Sequence, residues 1–396
     1  MNKYTLLLLS LVLLAPLGID LYLPTLPQVA LGLQTPVSNI QSTIPLFLLV
    51  MGLGQLITGP LVDNFGRKPV ALAGLALYAA GSLTAALADH WPVFLAARII
   101  QGCAVCCSAV VAFSGVRDRL SGDEAAKTFG FLNGALNIVP ALAPLLGGTL
   151  AAFWGWRAPF SFLFLYAVVT GVIILRSLPE TRPKETLKVP FLPLKQYASI
   201  LSDLRFVCFA LANAGALGMV LTYVSLAPQV LMEQAGLSSF AFALAFGANG
   251  LWIMLVSSIV SYVIRKAGRP FCLFFGGVCM LIAAGALSSE SLLFSTTVQQ
   301  HWLSYMLPVA LAVAGLAFII GPATSYALEP YQQQAGMASA LQGFFQMAGG
   351  AGGSLCILAL PLTPQHALSY MMLLGAALAF IAWRCSHSVK GTLTEL

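Results

Sequence analysis

Two side chains could move a proton or grip a charged solute from within an apolar environment. Asp20 interrupts the apolar run 4–26, and Arg98 interrupts the run 91–113. On insertion scales an ionised group at the centre of a membrane helix costs about 2.5–3.5 kcal/mol, so such groups stand on ion or substrate pathways and look for partners. Asp20 is the one carboxylate well inside a long apolar run, and Arg98 is the one base at comparable depth. The two are therefore expected to answer each other. Amides form a second set. Asn133 and Asn137 are four residues apart and share a helix face, as do Gln342 and Gln346. A carboxyl that titrates and amides that donate and accept are suited to holding and releasing small solutes.

Long apolar helices must position these groups. The chain of 396 residues is 59% hydrophobic and only 8% charged, with mean hydropathy +0.89. A soluble domain carries about 25% charged residues, so lipid must cover most of this surface. Spans are expected at 4–26, 39–62, 70–88, 91–113, 129–150, 157–178, 206–228, 238–264, 271–288, 302–326, 335–360 and 366–386. The runs are continuous and rich in Leu, Ala and Gly, which suits helices rather than the weaker alternation of a membrane barrel. With the N-terminus inside, the outer loops 27–38, 89–90, 151–156, 229–237, 289–301 and 361–365 hold no Lys or Arg, and 17 of the 19 basic residues fall at the inner face. This asymmetry predicts both termini in the cytoplasm. The start resembles a signal peptide, but its apolar run is too long and Ala15-Pro16 is a poor cleavage context, so the first span is expected to stay.

The chain reads as a duplication. Pro27-Gln28-Val29 returns as Pro228-Gln229-Val230 at an offset of 201, Gly66-Arg67 as Gly268-Arg269 at 202, and Leu132-Asn133-Gly134 as Leu341-Gln342-Gly343 at 209. The expected organisation is a six-helix bundle at 1–178, a basic linker ending in an amphipathic helix at 179–205, and a second six-helix bundle at 206–396. Halves of this kind place the substrate site near the bilayer midplane. On these offsets Asp20 corresponds to Leu221 and Arg98 to Leu307, so the ionisable pair belongs to the first half alone. The second half offers Asn213, Tyr223, Phe246, Asn249 and Trp252, an aromatic wall with few polar groups that suits lipophilic ligands.

Several segments carry a family resemblance. Gly59-Pro60-Leu61-Val62-Asp63-Asn64-Phe65-Gly66-Arg67-Lys68 resembles the G-x-L-x-D-r-x-G-r-k loop of the major facilitator superfamily, with Asn64 in place of Arg. The resemblance implies that Asp63 and Arg67, with Gly59, Gly66 and Lys68, form an inner latch, Gly59 allowing close helix contact. Arg98-Ile99-Ile100-Gln101-Gly102 resembles the R-x-x-q-G motif of proton-coupled drug antiporters, which implies a proton-coupling role for Arg98. Ala143-Pro144-Leu145-Leu146-Gly147-Gly148 resembles the antiporter motif G-P-x-x-G-G, carried here by Pro144, Gly147 and Gly148. Gly18-Ile19-Asp20-Leu21-Tyr22-Leu23-Pro24 resembles the first helix of the Bcr/CflA drug exporters. Arg117-Asp118, Glu180-Thr181-Arg182-Pro183 and Leu328-Glu329-Pro330 are further echoes.

The expectation is an all-α protein of twelve transmembrane helices in two pseudo-symmetric bundles, in a bacterial inner membrane. It would be a proton-coupled multidrug antiporter working by alternating access. Asp20 and Arg98 would couple protons, and Asp20, Tyr22, Asn133, Asn137, Asn213, Tyr223, Phe246, Asn249, Gln342 and Gln346 would meet substrate. Its partners would be drugs, protons and the bilayer, with no cofactor, metal or nucleic acid, and it would act as a monomer. One charge crossing 100 mV is worth about 2.3 kcal/mol, which sustains a gradient of about 50-fold. A metabolite transporter on the same scaffold is the alternative, though its site would carry more hydrogen-bonding groups. Cys103, Cys106 and Cys107 lack paired His residues and read as small helix-contact residues rather than a metal site. His90, His301, His366 and His387 lie at span ends or in loops with no nucleophile beside them, which argues against an enzyme, and no filter repeat suggests a channel.

Overall fold

The computed structural model describes residues 3–120, 122–182, 193–293 and 302–393, and these are overwhelmingly helical. Nine helices among them are long and apolar enough to cross a membrane, and the bent pair Gly134–Pro140 and Leu142–Trp154 makes a tenth. One of the nine, Ser239–Ser289, has 51 residues. At 1.5 Å per residue it would reach about 76 Å, more than twice a hydrocarbon core of about 30 Å. It breaks at Gly268, where φ is +83°, so it is two spans. The eleventh span runs from Ala335–Phe344 through a π-helical turn at Phe345–Gly349 into Gly350–Leu358. Among the described residues the total is twelve.

Helix ends differ from the apolar windows. The first span runs on to Gly32, so most of the expected outer loop 27–38 is helical. The fourth continues past residue 113 to Arg119, and the fifth covers Gly122–Trp154. Hydropathy marks the lipid-covered stretch, whereas backbone hydrogen bonding carries the helices into the polar layer.

The chain forms two compact units, Met1–Pro193 with Ser239–Gly250, and Leu194–Ser238 with Leu251–Leu396. Linker residues 183–192 lie outside the described residues. The helix Leu194–Leu201 follows them, with Tyr197 and Ile200 buried and Leu194 and Leu201 exposed.

The repeat is visible in backbone and packing. Gly66 and Gly268, 202 residues apart, adopt nearly the same conformation, φ +98° with ψ 163° and φ +83° with ψ 164°. That region favours glycine because a Cβ would clash with the backbone. Arg67 then pairs with Asp118, and Arg269 with Glu329. A Cβ on Gly74 would lie 3.1 Å from the Ala104 carbonyl, and one on Gly276 would lie 2.7 Å from that of Gly315. These pairs relate the fourth and tenth spans by 211 residues, not 209. The counterpart of Arg98 is therefore Val309 rather than Leu307, and Val309 is fully buried. Both residues are apolar, so the charge asymmetry between the halves stands.

Candidate functional site

The first span breaks at Asp20. Pro24 has no N–H to offer the Asp20 carbonyl, and Pro27 has none for that of Leu23. The helix Leu14–Asp20 ends there, Leu23–Thr25 tightens into a 3₁₀ turn, and Leu26–Gly32 resumes. The Thr25 N–H donates to the Tyr22 carbonyl at 2.9 Å, and the Thr25 hydroxyl donates to the same oxygen at 2.7 Å. Asp20 is 6% exposed, and among the described residues its carboxyl has no hydrogen-bond or ion-pair partner. Its neighbourhood is braced from other spans. The Tyr78 hydroxyl donates to the Leu14 carbonyl at 3.1 Å, and the Tyr22 and Thr43 hydroxyls lie 2.7 Å apart.

Arg98 is fully buried, which excludes a guanidinium reaching out to the membrane surface. It does not pair with Asp20, contrary to expectation. Its guanidinium lies 4.7 Å from the ring centroids of both Tyr22 and Phe47. Nη1 donates to Gln101 Oε1 at 2.6 Å, and Gln101 Nε2 donates to the Ser82 hydroxyl at 2.8 Å. Two cation–π contacts at about 0.5–2 kcal/mol each and a charged hydrogen bond at about 1.5–3 kcal/mol are enough to offset the insertion cost. Arg98 Nε and Nη2 nevertheless have no acceptor among the described residues. Tyr22 thus touches the arginine from a position two residues beyond the acid.

Pro144, Gly147 and Gly148 lie in the fifth span, and Gly147 lies against the break. A Cβ on Gly147 would collide with the Leu21 carbonyl oxygen and sit 2.6 Å from its carbon. Gly148 has room, its nearest neighbours 3.7 Å from an added Cβ. Asn133 and Asn137 occupy helical positions in this span, but their side chains lie outside the described residues.

The loop between the second and third spans is a charge network. Arg67 donates through Nε to Asp118 at 2.6 Å and through Nη1 to the Val62 carbonyl, and it lies 3.1 Å from Asp63. Glu180 accepts from the backbone N–H groups of Arg67 and Lys68, occupying the N-terminus of the third span. The Arg182 side chain donates to the Asn64 carbonyl at 3.0 Å. Among the described residues Gly59 makes no close helix contact: none of their atoms lies within 4 Å of where its Cβ would be. The tight glycine of this region is Gly66, whose added Cβ would be 2.6 Å from the Glu180 carboxylate. Asp118 and Glu180 were legible only as motif echoes, without a role.

Arg67 and Asp118 are only 7% and 10% exposed. Removing one partner of such a pair costs about 3–5 kcal/mol, because the other is left buried and unanswered. Arg67→Ala should therefore lower the melting temperature of purified protein sharply, and Arg67→Lys should recover part of the loss. Glu180 is less enclosed. Burial opposes its ionisation, but the N–H groups of Arg182, Arg67, Lys68 and Thr181 outweigh burial and hold the carboxyl below the usual range. A depressed folded value means that its contribution is complete above the ordinary carboxylate value and fades as pH falls through the folded one. The destabilisation by Glu180→Gln should accordingly be equal at about pH 6 and 8 and shrink only below about pH 4, measured by thermal unfolding.

The second-half candidates differ in their immediate surroundings. Asn213 is buried, donates to Thr324 at 3.0 Å and leaves Oδ1 without a partner among the described residues. Tyr223 lies 6.3 Å from Tyr305, ring to ring, and donates to Met306 Sδ. Phe246 stacks on Phe242 at 5.7 Å. Asn249 is 8% exposed, its Oδ1 unpartnered among the described residues, and Trp252 is 41% exposed and donates to the Ala310 carbonyl. Gln342 is 3% exposed and both its amide atoms lack partners among the described residues, and Gln346 lies in the π-helical turn. Such turns are frequent at functional sites. Tyr305, buried with a hydroxyl that has no partner among the described residues, was missed because a lone tyrosine at a span end carries no motif.

Twelve spans in two repeated halves, with a buried acid where the first span breaks, define a membrane transporter. The chain belongs to the Major Facilitator Superfamily, whose profile matches residues 8–355. It is 33% identical over 383 residues to a chloramphenicol resistance protein of Pseudomonas aeruginosa, covering 96% of this chain and 89% of that one. It is 31% identical over 350 residues to the multidrug resistance protein MdtL of Citrobacter koseri, covering 88% and 87%. Among solved structures, a peptide transporter POT in complex with sulfate superposes with TM-score 0.79 at 14% identity, over 98% of this chain and 95% of that one. A D-xylose-proton symporter superposes with TM-score 0.72 at 16% identity, over 96% and 98%. At these identities the structures speak for the fold. The protein is a transporter, not an enzyme.

Proposed function

We propose that this transporter is a proton-coupled drug exporter of the bacterial inner membrane, with both termini cytoplasmic, acting as a monomer. The observation that carries this reading is the Asp20 carboxyl, buried at the break of the first span and without a partner among the described residues. Relatives named for drug resistance support the substrate class. Asp20 takes up a proton when the site is open outward, and the bound drug leaves. When the site opens inward the proton departs and the next drug binds. Arg98 is held by Tyr22, Phe47 and Gln101, with two nitrogens that have no acceptor among the described residues, so it can answer the ionised acid or a polar group of the drug. Asn213, Gln342 and Gln346, with Tyr223, Phe246 and Asn249, supply the second half's contacts, and Asn133 and Asn137 the fifth span's. The Asp63–Arg67–Asp118 network is the inner latch. Susceptibility testing of cells expressing the chain checks the substrate class. Resistance to chloramphenicol or other lipophilic drugs supports it, whereas sugars, nucleosides or amino acids competing in proteoliposomes where drugs do not would refute it.

A further inference from the structure

The second unit contains a thiol pair that the transport cycle does not use. Cys208 lies one turn into the seventh span, Leu204–Pro228, and Cys385 lies near the end of the twelfth, Pro364–Leu393. Both are free thiols of intermediate exposure, and Cys385 is the neighbouring thiol of Cys208. Helix packing gives the same juxtaposition independently. A Cβ on Gly215 would lie 2.8 Å from the Leu378 side chain and 3.2 Å from Gly375 Cα, so these two antiparallel helices are in close contact there. Seven residues are about two helical turns and return to the same face. Stepping back seven from Gly215 reaches Cys208, and stepping forward seven from Leu378 reaches Cys385. The remaining thiols differ in their surroundings. Cys103, Cys106 and Cys107 share one helix, and Cys103 and Cys356 are exposed.

We infer that Cys208 and Cys385 are an oxidisable pair that a hydroperoxide converts to a disulfide, joining the seventh span to the twelfth. One thiolate attacks the peroxide oxygen, giving a sulfenic acid and releasing water or an alcohol. The second thiol then displaces the sulfenic hydroxyl as water, so two thiols lose two hydrogens and the peroxide is reduced. Such a bond needs the two Cα atoms within about 7 Å, which tightly packed helices allow. Both residues belong to the same unit, so the bond closes within it.

The test treats full-length protein in membranes with hydrogen peroxide, alkylates the remaining thiols and maps the peptides by mass spectrometry. A Cys208–Cys385 linked peptide two hydrogens lighter than its free parts, reversed by dithiothreitol, is expected. Oxidation should also raise the melting temperature of the wild type and leave that of Cys208→Ser and Cys385→Ser unchanged. The inference is overturned if both thiols remain alkylatable at a peroxide dose that consumes Cys103 and Cys356. It is equally overturned if either serine variant shows the same rise in melting temperature.

Discussion

Asp20→Asn is expected to abolish uphill drug transport driven by a pH gradient while leaving drug-for-drug exchange close to wild type. The amide keeps the size of the carboxyl and removes its titration. Coupling fails because the site no longer changes charge between its outward-open and inward-open states, whereas alternating access itself needs no titrating group. Folding should not suffer. The carboxyl has no partner among the described residues, so no ion pair is broken. Replacing a buried acid with an amide also removes a group that costs about 2.5–3.5 kcal/mol to insert when ionised. Proteoliposomes loaded with chloramphenicol measure both activities. Normal pH-driven accumulation by Asp20→Asn would show that the proton travels elsewhere.

The second large effect is a contrast between adjacent glycines. Gly147→Ala should eliminate transport and reduce the yield of folded protein, whereas Gly148→Ala should behave almost as wild type. The antiporter motif treats both alike. The geometry does not, because a methyl on Gly147 collides with the Leu21 carbonyl while one on Gly148 meets only ordinary contacts at 3.7 Å. Overpacking a core costs about 1–3 kcal/mol when flexible side chains can yield. Here the obstacle is backbone, immediately after Asp20, and relief would require moving the break in the first span. Drug efflux and thermal unfolding of the two variants check this. Equal tolerance of both substitutions would mean that the fifth span does not press on the break.

Much of the fold was legible because lipid imposes a simple rule on sequence: long apolar runs, and breakers where spans bend. The duplication was legible because Gly66 and Gly268 need the same unusual backbone, which only glycine adopts at low cost. The site was legible in part. Charge alone identified Asp20 and Arg98, but a charge map pairs opposite signs by default. It could not see that Tyr22 and Phe47 would take the arginine's faces and Gln101 its Nη1. The Gln101 contact was encoded three residues from Arg98, whereas the two aromatic contacts come from other spans and leave no local pattern. Gly59 misled for the opposite reason. Its motif position suggested close contact, yet helix rotation turns it to open space and gives the tight approach to Gly66. Side-chain amides such as Gln342 were readable as polar groups in apolar helices, and their missing partners became visible only once burial and hydrogen bonding were known together.

The central claim is that Asp20 exchanges its proton for drug, and proton release on binding tests it most directly. Chloramphenicol added to purified wild-type protein in weak buffer near neutral pH should release protons in a saturable manner, up to about one per drug bound. The Asp20→Asn variant, at a drug concentration shown to occupy it, should release none. Equal proton release from the wild type and the variant would contradict the account.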